Sequence, residues 1–220
     1  GPGKGAMTSL LLEKCESLTA IEIDKDLIRF LKKAYGDRKN FNLIEKDILL
    51  YDPKELLRVN KLIGNIPYNI STPIIEWIID NKSSFDEIFL MLQKEFGERC
   101  VAQPNTKSYG RLSIFVQCFF DVTVIREVDK SSFTPSPKVQ SIFLKLIPKV
   151  SDMTPNSLLM KNLSTLTREA FSKRRKLITN SLKSFFTEED LINLGIDRKS
   201  RPENLSVETY IKLAKSIQSG

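Results

Sequence analysis

The sequence contains no histidine among its 220 residues, which excludes Ser-His-Asp triads, histidine general bases and the usual histidine-containing zinc sites. Its three cysteines, Cys15, Cys100 and Cys118, are far apart, so we expect reduced thiols and no bound metal. The longest apolar runs, such as Ile88 to Leu92, are too short to cross a bilayer, and no basic-then-apolar leader opens the chain. We therefore expect a cytoplasmic protein without a membrane partner, with an organelle matrix as the alternative compartment.

Positive charge is in excess. The chain has 34 basic and 27 acidic residues, a net charge of +7. After residue 150, 12 basic and 8 acidic residues leave a net charge of +4, so the excess is densest there. A basic field favours an anionic partner, of which nucleic acid is the commonest. Charge alone does not decide this, because many basic proteins never bind nucleic acid.

Up to about residue 148, short runs rich in Ile, Leu, Val and Phe alternate with segments of helical period. This alternation predicts an α/β fold with a mostly parallel sheet. The predicted strands are Leu18–Ile23, Phe41–Glu45, Lys61–Gly64, Glu87–Gln93, Asp121–Val128 and Gln140–Ile147. The predicted helices are Met7–Lys14, Lys25–Ala34, Pro73–Asp80, Lys94–Val101 and Arg111–Phe119, with Thr72 capping the third of them. Since no long helix separates the last two strands, we expect them to form an antiparallel hairpin.

The strand signals stop after Pro148. Leucines at helical spacing begin at Leu158, and Ser206 can cap a last helix that runs through Lys215. We therefore expect two domains, an α/β domain over residues 1–149 and a small all-helical domain over residues 150–220.

A glycine-rich loop, residues 1–5, opens the chain and runs into a helix. Its glycines let backbone N–H groups approach a ligand, and a helix N-terminus favours a carboxylate. Glu22 ends the next strand, where its carboxylate can bind ribose hydroxyls. Asp47 can accept from an adenine amino group while Ile48 packs on the ring. Together these residues suggest a cofactor containing adenosine, although each alone is also common as a turn or cap residue.

The segment Gly64-Asn65-Ile66-Pro67-Tyr68 directly follows an apolar strand, where doubly wound folds place ligand chemistry. The Asn65 side-chain oxygen and the Ile66 carbonyl can accept both hydrogens of an adenine amino group and point its lone pair at a methyl donor. Tyr68 offers a flat face for the base. Methyl transfer from a sulfonium needs no general base, which suits a chain without histidine. The pattern predicts adenine-N6 methylation; the DNA enzymes of this kind carry an Asp-Pro-Pro-Tyr type of motif, which is not visible here.

Several further segments accompany this motif: Asn69-Ile70-Ser71-Thr72-Pro73, Gln93-Lys94-Glu95, Tyr109-Gly110-Arg111-Leu112-Ser113, Phe133-Thr134-Pro135-Ser136-Pro137-Lys138-Val139, Arg174-Arg175-Lys176, Gly195-Ile196-Asp197 and Arg201-Pro202-Glu203-Asn204-Leu205-Ser206. With them the chain resembles the small-subunit (16S-type) ribosomal RNA adenine-N6,N6-dimethyltransferase family, from Gly1 to about Lys215. Members of that family dimethylate two neighbouring adenines near the 3′ end of the RNA.

The resemblance implies a Rossmann-like class I methyltransferase fold that binds S-adenosylmethionine, followed by a helical RNA- and ribosome-binding domain. It implies cofactor contacts at Gly1, Gly3, Gly5, Glu22, Ile23, Asp47, Ile48 and Asn65. It implies target-base contacts at Asn65, Ile66, Pro67, Tyr68 and Phe133. It implies RNA contacts at Arg111, Lys138, Lys173, Arg174, Arg175 and Lys176. The implied substrate is RNA within an immature small ribosomal subunit, and we expect a monomer.

The sequence departs from the family in one respect. It starts inside the glycine motif, so we expect the sheet to lack the family's first strand and to have an open edge. Two other functions stay open at this stage. One is a ribosome-assembly or RNA-binding factor whose methyltransferase site is secondary or inactive, and the other is methylation of large-subunit ribosomal RNA.

Overall fold

A computed structural model describes residues 1–56, 61–133, 138–150, 154 and 157–217. The chain divides into two compact units, residues 1–92 (unit 1) and 93–220 (unit 2). The predicted domains, residues 1–149 and 150–220, stay a prediction, since packing units and functional domains need not divide a chain at the same residue. Among the described residues, no helix is long and apolar enough to cross a membrane.

Unit 1 contains two pairs of parallel strands. Strand β1 (Leu18–Glu22) pairs with β2 (Phe41–Glu45), and β3 (Lys61–Asn65) pairs with β4 (Glu87–Gln93). Within the described part of unit 1, no ladder of hydrogen bonds joins β1 to β3, so each of these strands has an open edge. The expectation of an open edge is thus confirmed.

Three helices complete unit 1: α1 (Ala6–Leu12), α2 (Lys25–Tyr35) and α3 (Ser71–Asp80). Asp24 caps α2, because its carboxylate accepts from the backbone N–H groups of Asp26 and Leu27 at 2.8 and 3.1 Å. The prediction for α3 was wrong at its start. A 3-10 turn, Tyr68–Ile70, runs directly into the helix, so Ile70 occupies the N-cap and Thr72 lies in the first turn.

Unit 2 contains the predicted antiparallel hairpin. Strand β5 (Phe120–Val128) pairs with β6 (Ser141–Pro148), from Phe120 opposite Pro148 to Val128 opposite Ser141. The register shifts between Val124 and Arg126, which leaves Ile125 as an extra residue in β5. The hairpin prediction is therefore confirmed.

The helices of unit 2 are α4 (Lys94–Val101), α5 (Arg111–Phe119), α6 (Leu158–Ser172), α7 (Ile178–Ser181), α8 (Glu188–Asn193) and α9 (Val207–Ser216). Helix α9 packs against both α5 and α6, and Leu163, Leu166 and Leu213 are fully buried. The Ser206 hydroxyl accepts from the backbone N–H of Thr209 at 3.2 Å, which confirms the predicted cap. No strand was predicted after Pro148, and none occurs among the described residues there.

Candidate active site

An apolar cavity of about 130 Å³ lies between the open edges of β1 and β3 in unit 1. Residues 18–21 of β1 and 62–65 of β3 line it, and Met7, Thr8 and Ile74 contribute from α1 and α3. Of the predicted site residues, the cavity brings together Gly1, Ile48, Asn65, Ile66 and Pro67. Pockets for small molecules usually measure about 300 to 1,000 Å³, so this cavity encloses only part of a nucleoside-sized cofactor.

Gly1 of the glycine-rich loop lines this cavity, and a turn within the loop fixes the loop's backbone. The backbone N–H of Gly5 donates to the Pro2 carbonyl at 3.0 Å, and Gly3 and Gly5 have left-handed φ values of 57° and 80°. A side chain at Gly5 would also collide with the Tyr35 ring, whose Cε2 lies 2.8 Å from the position of a β-carbon. Gly5 is therefore fixed both by backbone conformation and by space.

Glu22 is buried at the end of β1, with a side chain only 6% exposed. Its Oε1 accepts from the backbone N–H groups of Ile23 and Asp24 at 2.9 and 3.1 Å. Its Oε2 faces Gly1, 3.2 Å from where a β-carbon on that glycine would lie. The carboxylate is thus oriented by the backbone through one oxygen, while the other points to the glycine loop.

Asp47 and Ile48 follow β2. The Asp47 carboxylate accepts from the backbone N–H of Leu49 at 3.0 Å and so caps a 3-10 turn, Ile48–Leu50. The turn interpretation is confirmed for Asp47, and its contact with the adenine amino group stays a prediction. Ile48 is half-buried at the cavity, whereas Ile23 is 66% exposed directly after Glu22.

Asn65 is the last residue of β3, where it lies opposite Met91 of β4. The chain leaves the strand immediately afterwards, with the Ile66 N–H donating to the Met91 carbonyl at 3.0 Å. In the part of the chain that the structure describes, neither the Asn65 carboxamide nor the Ile66 carbonyl takes part in a hydrogen bond. A β-carbon at Gly64 would lie 2.7 Å from Cδ1 of Ile66, so a larger residue there would displace the end of the Ile66 side chain at the cavity.

Comparison with known proteins identifies the family. The Ribosomal RNA adenine dimethylase family matches residues 1–219. The chain belongs to this family.

Individual relatives agree with this assignment. The Ribosomal RNA small subunit methyltransferase A of Coxiella burnetii (strain CbuG_Q212) is 38% identical over 219 residues, covering 99% of this chain and 84% of that protein. The protein of the same name from Legionella pneumophila (strain Corby) is 40% identical over 220 residues, covering 100% and 85%. The predicted family and adenine-dimethyltransferase class are confirmed.

Solved structures agree on the fold. The dimethyladenosine transferase from Plasmodium falciparum has 30% identity and a TM-score of 0.79, covering 97% of this chain and 86% of that one. The 23S rRNA methyltransferase ErmE has 22% identity and a TM-score of 0.74, covering 99% and 88%, and shares the fold. The predicted class I methyltransferase fold is therefore confirmed.

For a ribosomal RNA adenine dimethylase, the aromatic residues predicted around the target base are Tyr68 and Phe133. Tyr68 is half-buried in unit 1 and begins the 3-10 turn that follows Pro67, and the Ser71 hydroxyl donates to its carbonyl at 3.1 Å. Phe133 is half-buried in unit 2, directly after a 3-10 turn over Lys130–Ser132. Its neighbours 134–137 lie outside the described residues, and a joint contact of both rings with the base stays a prediction.

The basic residues predicted to contact RNA all belong to unit 2 and differ in their surroundings. Lys173 pairs with Glu169 at 2.6 Å, and Arg174 pairs with Glu203 at 2.8 Å. The hydrogen bond from Lys173 holds the pKa of Glu169 below its usual range. The remaining cations are exposed, with no ion pair among the described residues: Arg111, Lys138, Arg175 and Lys176. They are thus available for phosphates, whereas Lys173 and Arg174 already have acidic partners in the protein.

Some residues that hold this architecture are not evident from the sequence. The Tyr35 hydroxyl donates to the Gly5 carbonyl at 3.3 Å, and Tyr35 is one of five tyrosines in no recognisable motif. Thr8 lines the cavity and is buried within α1. A larger cavity, of about 480 Å³ and including Gln117, Lys149 and Glu208 in its lining, lies within unit 2 and contains none of the predicted site residues.

Proposed function

We propose that this chain transfers methyl groups from S-adenosylmethionine to the N6 atoms of two adjacent adenines near the 3′ end of small-subunit ribosomal RNA. One observation carries the proposal. At the end of β3, the consecutive residues Asn65 and Ile66 both line the cavity, and in the described part of the protein neither the Asn65 carboxamide nor the Ile66 carbonyl takes part in a hydrogen bond. Asn65 is exposed and Ile66 is half-buried, so both oxygens are accessible acceptors at an apolar cavity, and an exocyclic amino group needs two such acceptors.

The residues of unit 1 fit the proposed cofactor. The glycine loop and the helix N-terminus after it suit the methionine carboxylate, because backbone N–H groups and the helix dipole favour an anion. The outward oxygen of Glu22 suits the ribose hydroxyls, and Ile48 and the exposed Ile23 provide apolar surface for the adenine ring. When bound, the cofactor would supply a methyl group whose bond to sulfur breaks as the bond to N6 forms.

The contribution of the protein to this step is positioning. The lone pair of adenine N6 is delocalised into the ring, and two acceptors on the amino hydrogens orient it toward the methyl donor. Holding reacting atoms about 3 to 3.5 Å apart supplies on the order of 7 to 11 kcal/mol of the barrier. The proton released from N6 passes to solvent, which is consistent with a chain that contains no histidine base.

The names of the relatives support small-subunit ribosomal RNA, rather than large-subunit ribosomal RNA, as the substrate. The proteins that are 38 and 40% identical over essentially the whole chain are named for the small ribosomal subunit. ErmE, named for 23S rRNA, is 22% identical and supports only the fold. The proposal includes an immature small subunit as the substrate particle, a monomeric enzyme and a cytoplasmic location.

Methyl transfer by matched variants tests the proposal. Small-subunit particles from cells that lack this methylation are incubated with S-adenosylmethionine carrying a labelled methyl group. Asn65→Ala should lower transfer by about 100-fold or more, because the amino group loses an acceptor that orients it. Asn42→Ala, an exposed asparagine in β2, should stay within about twofold of the unchanged protein. Equal activity of the two variants would overturn the role of Asn65.

A further inference from the structure

A turn that precedes α5, residues 103–107, is tied to two distant segments of unit 2. The backbone N–H of Asn105 donates to the Glu203 carbonyl at 2.8 Å, and the Asn204 carboxamide donates to the Asn105 side-chain oxygen at 2.7 Å. Asn105 has a left-handed φ of 70°, which is uncommon for a residue with a side chain. These two hydrogen bonds stabilise a backbone conformation of Asn105 that would otherwise be unfavourable.

Arg174 completes this arrangement from the end of α6. Its Nε donates to Oε2 of Glu203 at 2.8 Å, and its Nη2 donates to the Thr106 carbonyl at 3.2 Å. The guanidinium therefore links an acidic side chain to the backbone of the turn, a task that needs a planar fork of several donors. We call Arg174, Glu203, Asn204 and Asn105 the turn clamp.

The turn clamp brings separate cations into one neighbourhood. Lys107 directly follows Thr106, and Arg175 directly follows Arg174, so the bond from Arg174 to Thr106 joins their two segments. Lys107 is exposed and, like Arg175 and Lys176, has no ion pair among the described residues. Exposed cations held by an ordered backbone suit the phosphates of a structured RNA, which carry charge at regular spacing.

We propose that Lys107 contacts the phosphate backbone of the RNA and that the turn clamp is the device that positions it beside Arg175 and Lys176. Arg174 is then a positioning residue, and Lys107, which the sequence does not single out, joins the RNA-binding surface. This inference rests on the proposed function, because it takes small-subunit ribosomal RNA as the bound partner.

The contact at Lys107 is tested by the salt dependence of binding. Binding of the full chain to small-subunit particles from methylation-deficient cells is measured between low and moderate salt. Lys107→Ala should weaken binding several-fold and lower the slope of log K against log[salt] by about one, whereas Lys107→Arg should retain it. Lys161→Ala, an exposed lysine in the first half of α6, is the matched control and should leave the slope unchanged. An unchanged slope for Lys107→Ala would overturn the contact.

The turn clamp itself is tested by Glu203→Gln, because the two possible roles of Arg174 predict opposite changes in RNA-binding affinity. If Arg174 contacts RNA directly, removal of its acidic partner frees the cation and tightens binding. If Arg174 is a positioning residue, the same change loosens the turn and weakens binding at least threefold, although the protein gains one positive charge. Arg174→Lys should also weaken binding, because an ammonium cannot reproduce the forked contact. Tighter binding by Glu203→Gln would overturn the clamp.

Failure of this inference differs from failure of the proposed function. A chain that binds no particles and transfers no methyl groups contradicts the proposed function. A chain that binds and methylates normally while Lys107→Ala behaves like Lys161→Ala contradicts only the inference. Melting curves of Glu203→Gln and Arg174→Lys, compared with the unchanged protein, establish that the variants are folded.

Discussion

The two carboxylate oxygens of Glu22 have different surroundings. Two backbone N–H groups, from Ile23 and Asp24, fix Oε1, and Oε2 is left toward the glycine loop. A charged acceptor forms hydrogen bonds roughly twice as strong as a neutral one. The same side chain is therefore held in place through one oxygen and keeps a charged acceptor for the proposed contact with the ribose hydroxyls.

We predict that Glu22→Gln weakens cofactor binding about tenfold and changes kcat at saturating cofactor by less than threefold. The carboxamide keeps the shape but loses the charge that strengthens hydrogen bonds from the ribose hydroxyls. Calorimetric titration with S-adenosylhomocysteine measures the affinity, and Glu16→Gln, an exposed glutamate in unit 1, is the control. A Glu22→Gln affinity equal to that of the control would show that Glu22 does not bind the cofactor.

Substitution of Tyr68 should have the opposite effect to substitution of Glu22, because it should lower turnover and leave cofactor affinity unchanged. Tyr68→Ala removes the ring on which the target base is proposed to stack, and stacking contributes about 1 to 3 kcal/mol per base. We therefore predict a loss of methyl transfer of about 5- to 150-fold, with little change in cofactor affinity, and substantial recovery in Tyr68→Phe. Equal losses of turnover and cofactor affinity would contradict a role at the base.

Helix α9 shows how a single cap supports an element that carries no predicted site residue. The Ser206 hydroxyl caps the helix, and α9 buries Val207, Tyr210, Leu213 and Ala214 in unit 2. The pKa of Glu208 in its first turn is lowered by its own backbone N–H and then by the Ser206 hydroxyl. Since its folded pKa is lowered, this carboxylate stabilises the fold above its unfolded pKa, and the contribution is lost as the pH falls.

We predict that Ser206→Ala lowers the free energy of unfolding by about 1 kcal/mol, the usual value for loss of an N-cap. Urea denaturation followed by circular dichroism measures the change. Ser216→Ala, at the other end of α9, removes a hydroxyl that bonds only within the last turn and should cost less. A larger loss for Ser216→Ala than for Ser206→Ala would refute the cap.

The elements were largely predictable because most of them depend on local periodicity. The predicted strands and helices of the first 148 residues match the structure to within two residues at each end, and β3, for example, extends one residue further to Asn65. The start of α3 was missed for a physical reason. Thr72-Pro73 carries a familiar capping pattern, but the preceding 3-10 turn supplies the helix start instead.

Long-range partners could not be predicted. Tyr109 and Ser113 carried part of the family resemblance, yet both are buried supports. The Tyr109 hydroxyl donates to the Leu205 carbonyl at 2.9 Å, and the Ser113 hydroxyl donates to the Arg99 carbonyl at 2.7 Å. Arg174 pairs with Glu203, 29 residues away along the chain, so its charge was visible in the sequence but its partner was not.

The chain combines a cavity in unit 1, which we propose as the catalytic site, with exposed cations in unit 2. Composition indicated an anionic partner, the Asn65 motif indicated the reaction, and the family match joined the two. An assembly factor with an inactive site would keep the basic surface and need no function from Asn65. Methylation of the two adenines therefore distinguishes an enzyme from such an assembly factor.

The most direct measurement is mass spectrometry of small-subunit ribosomal RNA after incubation of methylation-deficient particles with this protein and S-adenosylmethionine. We predict N6,N6-dimethyladenosine at two adjacent positions near the 3′ end, and its absence with Asn65→Ala. Unmodified adenines after incubation with folded, particle-binding protein would contradict the account.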